Sequence, residues 1–297
     1  MKNYSISTDS TSDFLIDEVK DLGLYIGRLD FTINENNILN EYKDDFQTED
    51  DYIEFYNKLR KGGIAKTSIL NLQAHIDLFT QMAKDGIKNA IHITQSMGLS
   101  PTLKNAEQAI EEVKKEFPDI NYVAIESNTT TVAEGNLVRI ALALKEQGKS
   151  MKENLEILEK YKHQMQHFVV VSDLMYLKRG GRISATSAAI GTVLKIKPII
   201  EFTKEGKLEI VRKESGTKKA FKSIIDEIKK NFTFHKDFAF PTIAHTDNIK
   251  DATLLAELCE ENFGIKPVIR MIGPIIGTHL GPNAVALTFL SNEPRQH

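Results

Sequence analysis

Two arginines flank a pair of glycines in the most distinctive stretch of this chain, residues 172–184. The glycines can adopt backbone angles that other residues resist, so the chain can turn tightly there and bring Arg179 and Arg182 close together. Guanidinium groups offer forked donors that match a carboxylate or a phosphate. A second glycine-rich block, 273–282, carries His279 on what we predict to be a rigid loop. These groups predict a site for an anionic ligand.

Hydroxyl side chains stand at the starts of two predicted helices. Ser96 lies in one such loop, where Ser100 is a good N-cap and Pro101 suits the first helical turn. The start of that helix offers free N–H groups to an anion. Thr67 and Ser68 lie in the other loop. For all of these hydroxyls, capping a helix or closing a turn is the alternative to ligand binding.

A third loop of this kind, 126–131, contains Ser127, which could line a ligand cleft. Capping by Thr129 or Thr130 is an equally good interpretation of that loop. The arginines and the histidine have ordinary interpretations too, because exposed arginines near a turn are usually solvated and a lone histidine is often structural.

Short apolar runs alternate with longer helical patterns in the first half of the chain. Strands are predicted at 4–7, 90–94 and 122–125, and helices at 72–84, 101–117 and 131–146. Alternation of this kind predicts βαβ units and a parallel sheet. Ligands of such sheets bind beyond the carboxyl ends of the strands, so the loops after these strands are the candidate ligand loops.

The segment 24–50 departs from that rhythm. Its period-two alternation and its polar turn cluster predict a small β-hairpin inserted into the first domain. We divide the chain into an N-terminal α/β domain, 1–150, and a C-terminal α+β domain, 151–297, which begins with a bridging helix predicted at 151–166. The predicted fold class is therefore α/β, with two domains and a parallel sheet in the first.

Composition narrows the class of protein. The chain has 297 residues, of which 41% are hydrophobic and 27% charged, as in ordinary soluble globular proteins. A net charge of −3 gives no basis for nucleic-acid binding. The single cysteine, Cys259, excludes an internal disulfide and a multi-cysteine zinc site, and burial is expected for it. Without a visible secretory signal or an apolar run of about 20 residues, we predict a cytoplasmic protein.

The glycine-rich stretches and the beginning of the chain resemble the DegV family of bacterial proteins. Residues 174–198 and 273–282 are similar to its two signature stretches, and Ser7–Asp13 is similar to its opening motif. The resemblance spans the whole chain. It implies a long-chain fatty-acid-binding protein with no catalytic residues, no cofactor and no metal. The fatty acid would lie in an apolar tunnel with its carboxylate in a cleft between the two domains.

The resemblance also implies roles for individual residues. Ser96 matches the first serine of the family motif that holds the carboxylate, and Met97 stands where the family has a second serine. Thr67 and Ser68 match a threonine–serine pair whose threonine contacts the carboxylate. The chain departs from the family pattern at Ile69, Leu70 and Pro101. The further residues that the resemblance places at or near the ligand are Ser127, Arg182 and His279.

A partner fatty acid kinase is the second implication of the resemblance. The kinase would phosphorylate the bound carboxylate, and the acyl phosphate would enter phospholipid synthesis. The chain has no Walker pattern and no Gly-x-Gly-x-x-Gly after a strand, so the partner would have to supply the ATP site. Lys195 and Lys197 are either solvated or contact a phospholipid surface or the partner.

Two other kinds of function stay open at this point. One is an enzyme, either a hydrolase that uses Ser96 and His279 or a relative of the substrate subunits of dihydroxyacetone kinase. No Gly-x-Ser-x-Gly elbow surrounds Ser96, which argues against the hydrolase. The other is a lipid sensor that binds a fatty acid but never meets a kinase.

Overall fold

A computed structural model describes residues 3–184 and 196–297 of the chain. Within these ranges the strands are β1 (Ser5–Asp9), β2 (Tyr25–Gly27), β3 (Asp30–Glu35), β4 (Ile38–Lys43), β5 (Ile64–Thr67), β6 (Asn89–Thr94), β7 (Asn121–Glu126), β8 (Met165–Val170), β9 (Ile196–Phe202), β10 (Leu208–Ser215), β11 (Thr242–His245), β12 (Val268–Met271) and β13 (Val285–Leu290). The α-helices are α1 (Ile16–Asp21), α2 (Glu49–Arg60), α3 (Leu72–Lys84), α4 (Thr102–Glu116), α5 (Thr131–Glu146), α6 (Met151–Tyr161), α7 (Met175–Arg179), α8 (Thr217–Asn231), α9 (Ile249–Phe263) and α10 (Pro274–Leu280).

A parallel four-stranded sheet, in the order β2-β1-β6-β7, forms the centre of the N-terminal part. Both of its faces are covered, which is why its two central strands, β1 and β6, are nearly continuous buried runs. On β6, Ala90 packs in a cluster with α3 and α4, whereas Ile91 and Ile93 pack in a cluster with α5. The carboxyl ends of these strands meet at one edge, where ligands of such sheets bind.

A separate antiparallel sheet, in the order β4-β3-β5, follows β2. The pairing of β3 with β4 confirms the predicted hairpin. On β3, Phe31 and Ile33 are buried while Asp30 and Asn34 are exposed, as the period-two alternation requires. Strand β5 extends this small sheet beyond the predicted hairpin and carries Thr67 at its end.

The C-terminal part is a mixed six-stranded sheet in the order β10-β9-β8-β13-β11-β12, with only β11 and β12 parallel among the described strands. On β8, Phe168 and Val170 face a core with α8 and α9, whereas Val169 faces the N-terminal part of the molecule. Helix α5 lies between the two sheets and is buried on most of its sides. The predicted α/β fold class is confirmed, and the boundary at residue 150 stays a prediction.

Three local predictions were wrong. The helix that starts at Met151 ends at Tyr161 rather than at 166, because a turn leads directly into the fully buried strand β8. His279 lies in helix α10, not in a loop. Pro274 at the first helical position and Gly281 just after the end are helix start and stop signals that the loop interpretation overlooked.

The third wrong prediction concerns the start of α4. This helix begins at Thr102 with Pro101 at the N-cap position, so Ser100 does not cap it. Instead, the Ser100 N–H donates to the carbonyl of Ser96 in a preceding turn (3.1 Å). Of the two lysines near the end of the stretch 174–198, Lys195 lies outside the described residues. Lys197 is partly buried and donates to the Ser172 hydroxyl (2.9 Å).

Candidate functional site

A cavity of about 320 Å³ lies between the loops of the N-terminal sheet and the inner face of the C-terminal sheet. The segments after β5 and β6 and the first turn of α5 form one side, while β8, β9 and α10 form the other. This volume falls at the lower end of the range for small-molecule sites. Most of the wall is apolar, and its apolar residues are Leu29, Ile69, Leu99, Pro101, Val169, Leu177, Phe202, Leu208, Ile275, Ile276 and Leu280.

A hydrogen bond between Thr67 and His279 lies in the wall of this cavity. Thr67 Oγ1 is 3.0 Å from His279 Nε2, although the two residues are 212 positions apart in the chain. Thr67 ends β5 and His279 lies near the end of α10, so the bond joins the small antiparallel sheet to the C-terminal part. Both residues line the same cavity, and their role in binding a ligand stays a prediction.

The other imidazole nitrogen, Nδ1 of His279, is buried and has no hydrogen-bond partner among the described residues. It packs directly against Gly180. A buried N–H without an acceptor is costlier than a bare acceptor, so we infer the tautomer with the proton on Nε2. His279 then donates to Thr67, and the proton of the Thr67 hydroxyl is free to donate to a ligand in the cavity.

Burial lowers the pKa of His279 to about 3, and the positive charge of Arg182 adds to this effect. The imidazole is therefore neutral at physiological pH and contributes a hydrogen bond rather than a charge. Arg182 is the cation that lines the cavity, and burial lowers its pKa. Among the described residues it forms no ion pair with an acidic side chain, and its guanidinium donates to the Gly180 carbonyl. A half-buried cation in this setting favours an anionic ligand.

Ser68 also lines the cavity, but its hydroxyl donates to the Asp30 carbonyl (2.9 Å). Three of the predicted ligand residues are not among the residues that line it. Met97 donates its backbone N–H to the Glu126 carboxylate (2.8 Å), and the Ser127 hydroxyl donates to the Thr129 carbonyl (3.1 Å). Ser96 is the third and is fully buried.

The Ser96 hydroxyl ties the two parts of the molecule together. It donates to the Gly206 carbonyl in the β9–β10 turn (2.8 Å) and accepts from the Gly98 N–H (3.0 Å). The turn packs so closely here that any side chain at Gly98 would collide with the Gly206 backbone. In this arrangement Ser96 has no free hydrogen for a ligand.

Comparison with known proteins identifies the family to which this architecture belongs. A family model described as "Uncharacterised protein, DegV family" matches residues 3–292. The chain belongs to the DegV family. Among curated DegV proteins, it is 35% identical to the DegV domain-containing protein CPE0026 of Clostridium perfringens, over 98% of this chain and 99% of that protein. It is 28% identical to YteA of Lactococcus lactis, over 99% of both.

Solved DegV structures share the fold over nearly the whole chain. A DegV lipid binding protein of Thermotoga maritima has a TM-score of 0.83 at 22% identity, with 99% of this chain and 100% of that chain covered. A DegV family protein of Eubacterium eligens loaded with heptadecanoic acid has a TM-score of 0.84 at 20% identity, covering 98% and 100%. A fatty acid binding DegV family protein of Streptococcus agalactiae has a TM-score of 0.78 at 26% identity, covering 98% and 99%.

Several residues of this DegV site were missed from the sequence. Thr130, Thr131 and His167 line the cavity, and the Oγ1 atoms of both threonines have no hydrogen-bond partner among the described residues. Thr131 has a φ of 57°, which is unusual for a β-branched residue, and strain of this kind often accompanies a functional site. The place of the two threonines at the start of a helix after a parallel strand was the signal available for them, whereas His167 lies within β8.

Arg295 is a buried residue near the chain end that was also missed. Its guanidinium donates to the carbonyls of Met165 and Asn128, both at 2.8 Å, and so joins the loop after β7 to the C-terminal sheet. Among the described residues, no group of histidine, cysteine, aspartate and glutamate side chains could hold a metal ion. The described helices also include none that is long and apolar enough to cross a bilayer.

The neutral state of His279 predicts how anion binding depends on pH. A histidine with the usual pKa of about 6.5 would lose its charge as the pH rises, and anion affinity would fall with it. Because the pKa of His279 is about 3, even a bound carboxylate that raises this pKa by about two units leaves the ring neutral at pH 6. We expect the Kd for decanoate, measured by calorimetry, to change less than about twofold between pH 6 and 8.

An NMR titration of the His279 ring is the control for this prediction of pH dependence. In NMR spectra of the free protein, the Cε1–H signal of His279 should keep the same chemical shift between pH 6 and 8, because its pKa lies near 3. A tenfold loss of decanoate affinity across this range, accompanied by titration of His279, would contradict the neutral-imidazole assignment.

Proposed function

We propose that this protein binds one long-chain fatty acid in the main cavity and presents its carboxylate to a partner kinase. The observation that carries the proposal is the combination of a largely apolar wall with the Thr67–His279 pair and Arg182. The wall suits an alkyl chain, while a free hydroxyl proton beside a half-buried cation suits one carboxylate. The heptadecanoic acid in the Eubacterium eligens relative and the fatty acid binding named for the Streptococcus agalactiae relative support the same ligand class.

The alkyl chain supplies most of the affinity in this proposal. Each buried methylene contributes roughly 0.8 kcal/mol, so fourteen would contribute about 11 kcal/mol before the entropy of binding is subtracted. A hydrogen bond to a charged group contributes about 1.5–3 kcal/mol. The polar residues therefore determine which end of the ligand faces the kinase, and the apolar wall determines how tightly it is held.

The protein itself performs no chemistry in this proposal. A carboxylate oxygen of the bound fatty acid bonds to the γ-phosphorus of ATP held by the kinase, the bond from that phosphorus to the bridging oxygen breaks, and ADP leaves. The product is an acyl phosphate, which the protein holds for phospholipid synthesis in the cytoplasm. A bacterial kinase partner and this destination come from the family resemblance. A transient contact with the membrane surface belongs to the same proposal.

The arrangement of Ser96 disfavours the hydrolase alternative. A serine nucleophile needs its base within hydrogen-bond reach. Here the Ser96 hydroxyl is bonded to the Gly206 carbonyl, while His279 is bonded to Thr67. Serine and histidine are thus engaged with different partners.

Native mass spectrometry of the purified protein, with extraction of whatever lipid travels with it, tests the ligand. We expect one fatty acid per chain. Thr67→Val removes the free hydroxyl and keeps the side-chain shape, so fatty-acid affinity should fall about tenfold. Ser96→Ala should change that affinity less than about twofold, but should lower the free energy of unfolding by about 1–3 kcal/mol because the buried Gly206 carbonyl loses its donor.

The contrast between these two variants decides the position of the carboxylate. A larger loss of affinity in Ser96→Ala than in Thr67→Val would place the head group at Ser96 instead. A protein that is purified empty and takes up no added fatty acid would overturn the carrier function. The kinase is tested separately, by mixing the loaded protein with candidate kinases and ATP and measuring acyl phosphate. Fatty-acid binding without formation of acyl phosphate would contradict the kinase partnership and support the alternative function of a lipid sensor.

A further inference from the structure

A second cavity lies on the other side of the first turn of α5. It encloses about 350 Å³ between that helix and the strands β11 and β12, and so lies at the junction of the two halves of the molecule. The residues that give it its chemical character are Asn136, Arg139, Phe240, Lys266, Val268 and Arg270. None of them lines the fatty-acid cavity, and the proposed function assigns them no role.

Three positively charged side chains line this cavity. Arg139 and Arg270 both bind the carboxylate of Glu18, through one contact of 2.9 Å from Arg139 and two of 2.9 and 2.7 Å from Arg270. Lys266 adds a third cation. Burial raises the pKa of Asp13, the acid that lines the cavity, well above its usual range, so this carboxyl favours the neutral form.

Three cations therefore face one ionised carboxylate, which leaves two positive charges in excess. Among the described residues Glu18 is the hydrogen-bond partner of both guanidinium groups, and their other N–H groups can donate to a ligand. The ring of Phe14 lies 4.6 Å from the Arg139 guanidinium and helps to hold it in place. The two arginines are thus held in place before a ligand binds, whereas Lys266 is exposed.

An apolar lip borders the cations. Phe240 is 36% exposed and Val268 is 54% exposed. Phe240 has a φ of 40°, which a bulky side chain rarely adopts. Its carbonyl accepts from Asn136 Nδ2 and from the Thr242 hydroxyl, both at 2.9 Å, and these bonds hold the strained backbone. The ring is thereby kept at the surface beside the cations.

We propose that this second cavity binds a phosphate monoester whose phosphate faces Arg139, Lys266 and Arg270 and whose apolar part lies on Phe240. A phosphate monoester carries a charge of about −1.5 to −2 at pH 7, which matches the excess of two positive charges. Arginine forks are suited to phosphate oxygens. The apolar lip distinguishes an ester with an apolar or aromatic part from inorganic phosphate.

Calorimetry on the full chain at pH 7.5 and low salt tests this site, with phenyl phosphate as the probe and benzenesulfonate as a matched monoanion. We expect phenyl phosphate to bind one site per chain, at least tenfold tighter than benzenesulfonate and tighter than inorganic phosphate. Lys266→Gln should weaken it at least fivefold. Lys250→Gln, an exposed lysine on α9 that lines neither cavity, should have no effect.

Two further arms complete the test. Saturating the protein with fatty acid should leave the Kd of phenyl phosphate unchanged. The proposal of a phosphate-ester site and the proposal of a fatty-acid site can therefore be contradicted independently. Binding to phosphatidic acid vesicles that phenyl phosphate displaces would identify a lipid headgroup as the source, and no vesicle binding would identify a soluble ester. Absence of heat with phenyl phosphate, equal binding in Lys266→Gln, or displacement by fatty acid would each overturn the proposal.

Discussion

Gly180→Ala should weaken fatty-acid binding about tenfold or more. The backbone of Gly180, at φ −72° and ψ −10°, suits alanine, so the substitution introduces no conformational strain. Its new methyl group, however, would collide with Nδ1 of His279 and lie 3.0 Å from Cε1 of the same ring. The ring must move, and the Thr67–His279 hydrogen bond that orients the free hydroxyl would break. Fluorescence displacement of a bound fatty-acid probe measures the affinity directly.

Gly181→Ala is the matched control for this prediction. Gly181 has a φ of 72°, where alanine is strained by about 1–2 kcal/mol, but open space surrounds its missing side chain. It should lower the free energy of unfolding while leaving fatty-acid affinity within about twofold. Equal loss of affinity in both variants would show that the Gly-Gly turn as a whole, and not the position of His279, controls binding.

Sequence reasoning reached the fold because its signals are local. The start of α3 is indicated by Asn71, whose side chain accepts a hydrogen bond from the Ala74 N–H. The start of α6 is indicated by the capping box that Ser150 and Glu153 form. Period-two alternation marked β3 in the same way. Each of these patterns lies within a few residues of the element that it predicts.

The candidate site was harder to predict from the sequence, because its contacts join residues that are far apart in the chain. The partner of Ser96, Gly206, lies 110 residues along the chain, and that of Arg295, Asn128, lies 167 residues back. No local pattern indicates that a hydroxyl will donate to a carbonyl from a distant part of the chain. The family resemblance placed Thr67 and His279 near one ligand, and only the tertiary structure shows that they bond to each other.

The proposed tail-binding wall predicts a steep dependence of affinity on chain length. In a series of saturated fatty acids from eight carbons upward, each added methylene should strengthen binding about fourfold, because roughly 0.8 kcal/mol is gained per buried methylene. The gain must stop when the tail has filled the cavity. Beyond that length we expect affinity to level off or fall. Displacement assays with each acid below its micelle concentration measure the curve.

Val169→Phe should move this optimum to acids about two to four carbons shorter, because Val169 lines the cavity and the larger ring would fill part of it. Val170→Phe is the matched control on the same strand. Val170 points to the opposite core, where overpacking should cost about 1–3 kcal/mol of stability without changing the preferred chain length. Should either variant fail to fold, Val169→Leu and Val170→Leu repeat the comparison with one added methylene. An optimum that stays fixed in the Val169 variants, or that moves equally in the Val170 variants, would place the tail outside this cavity.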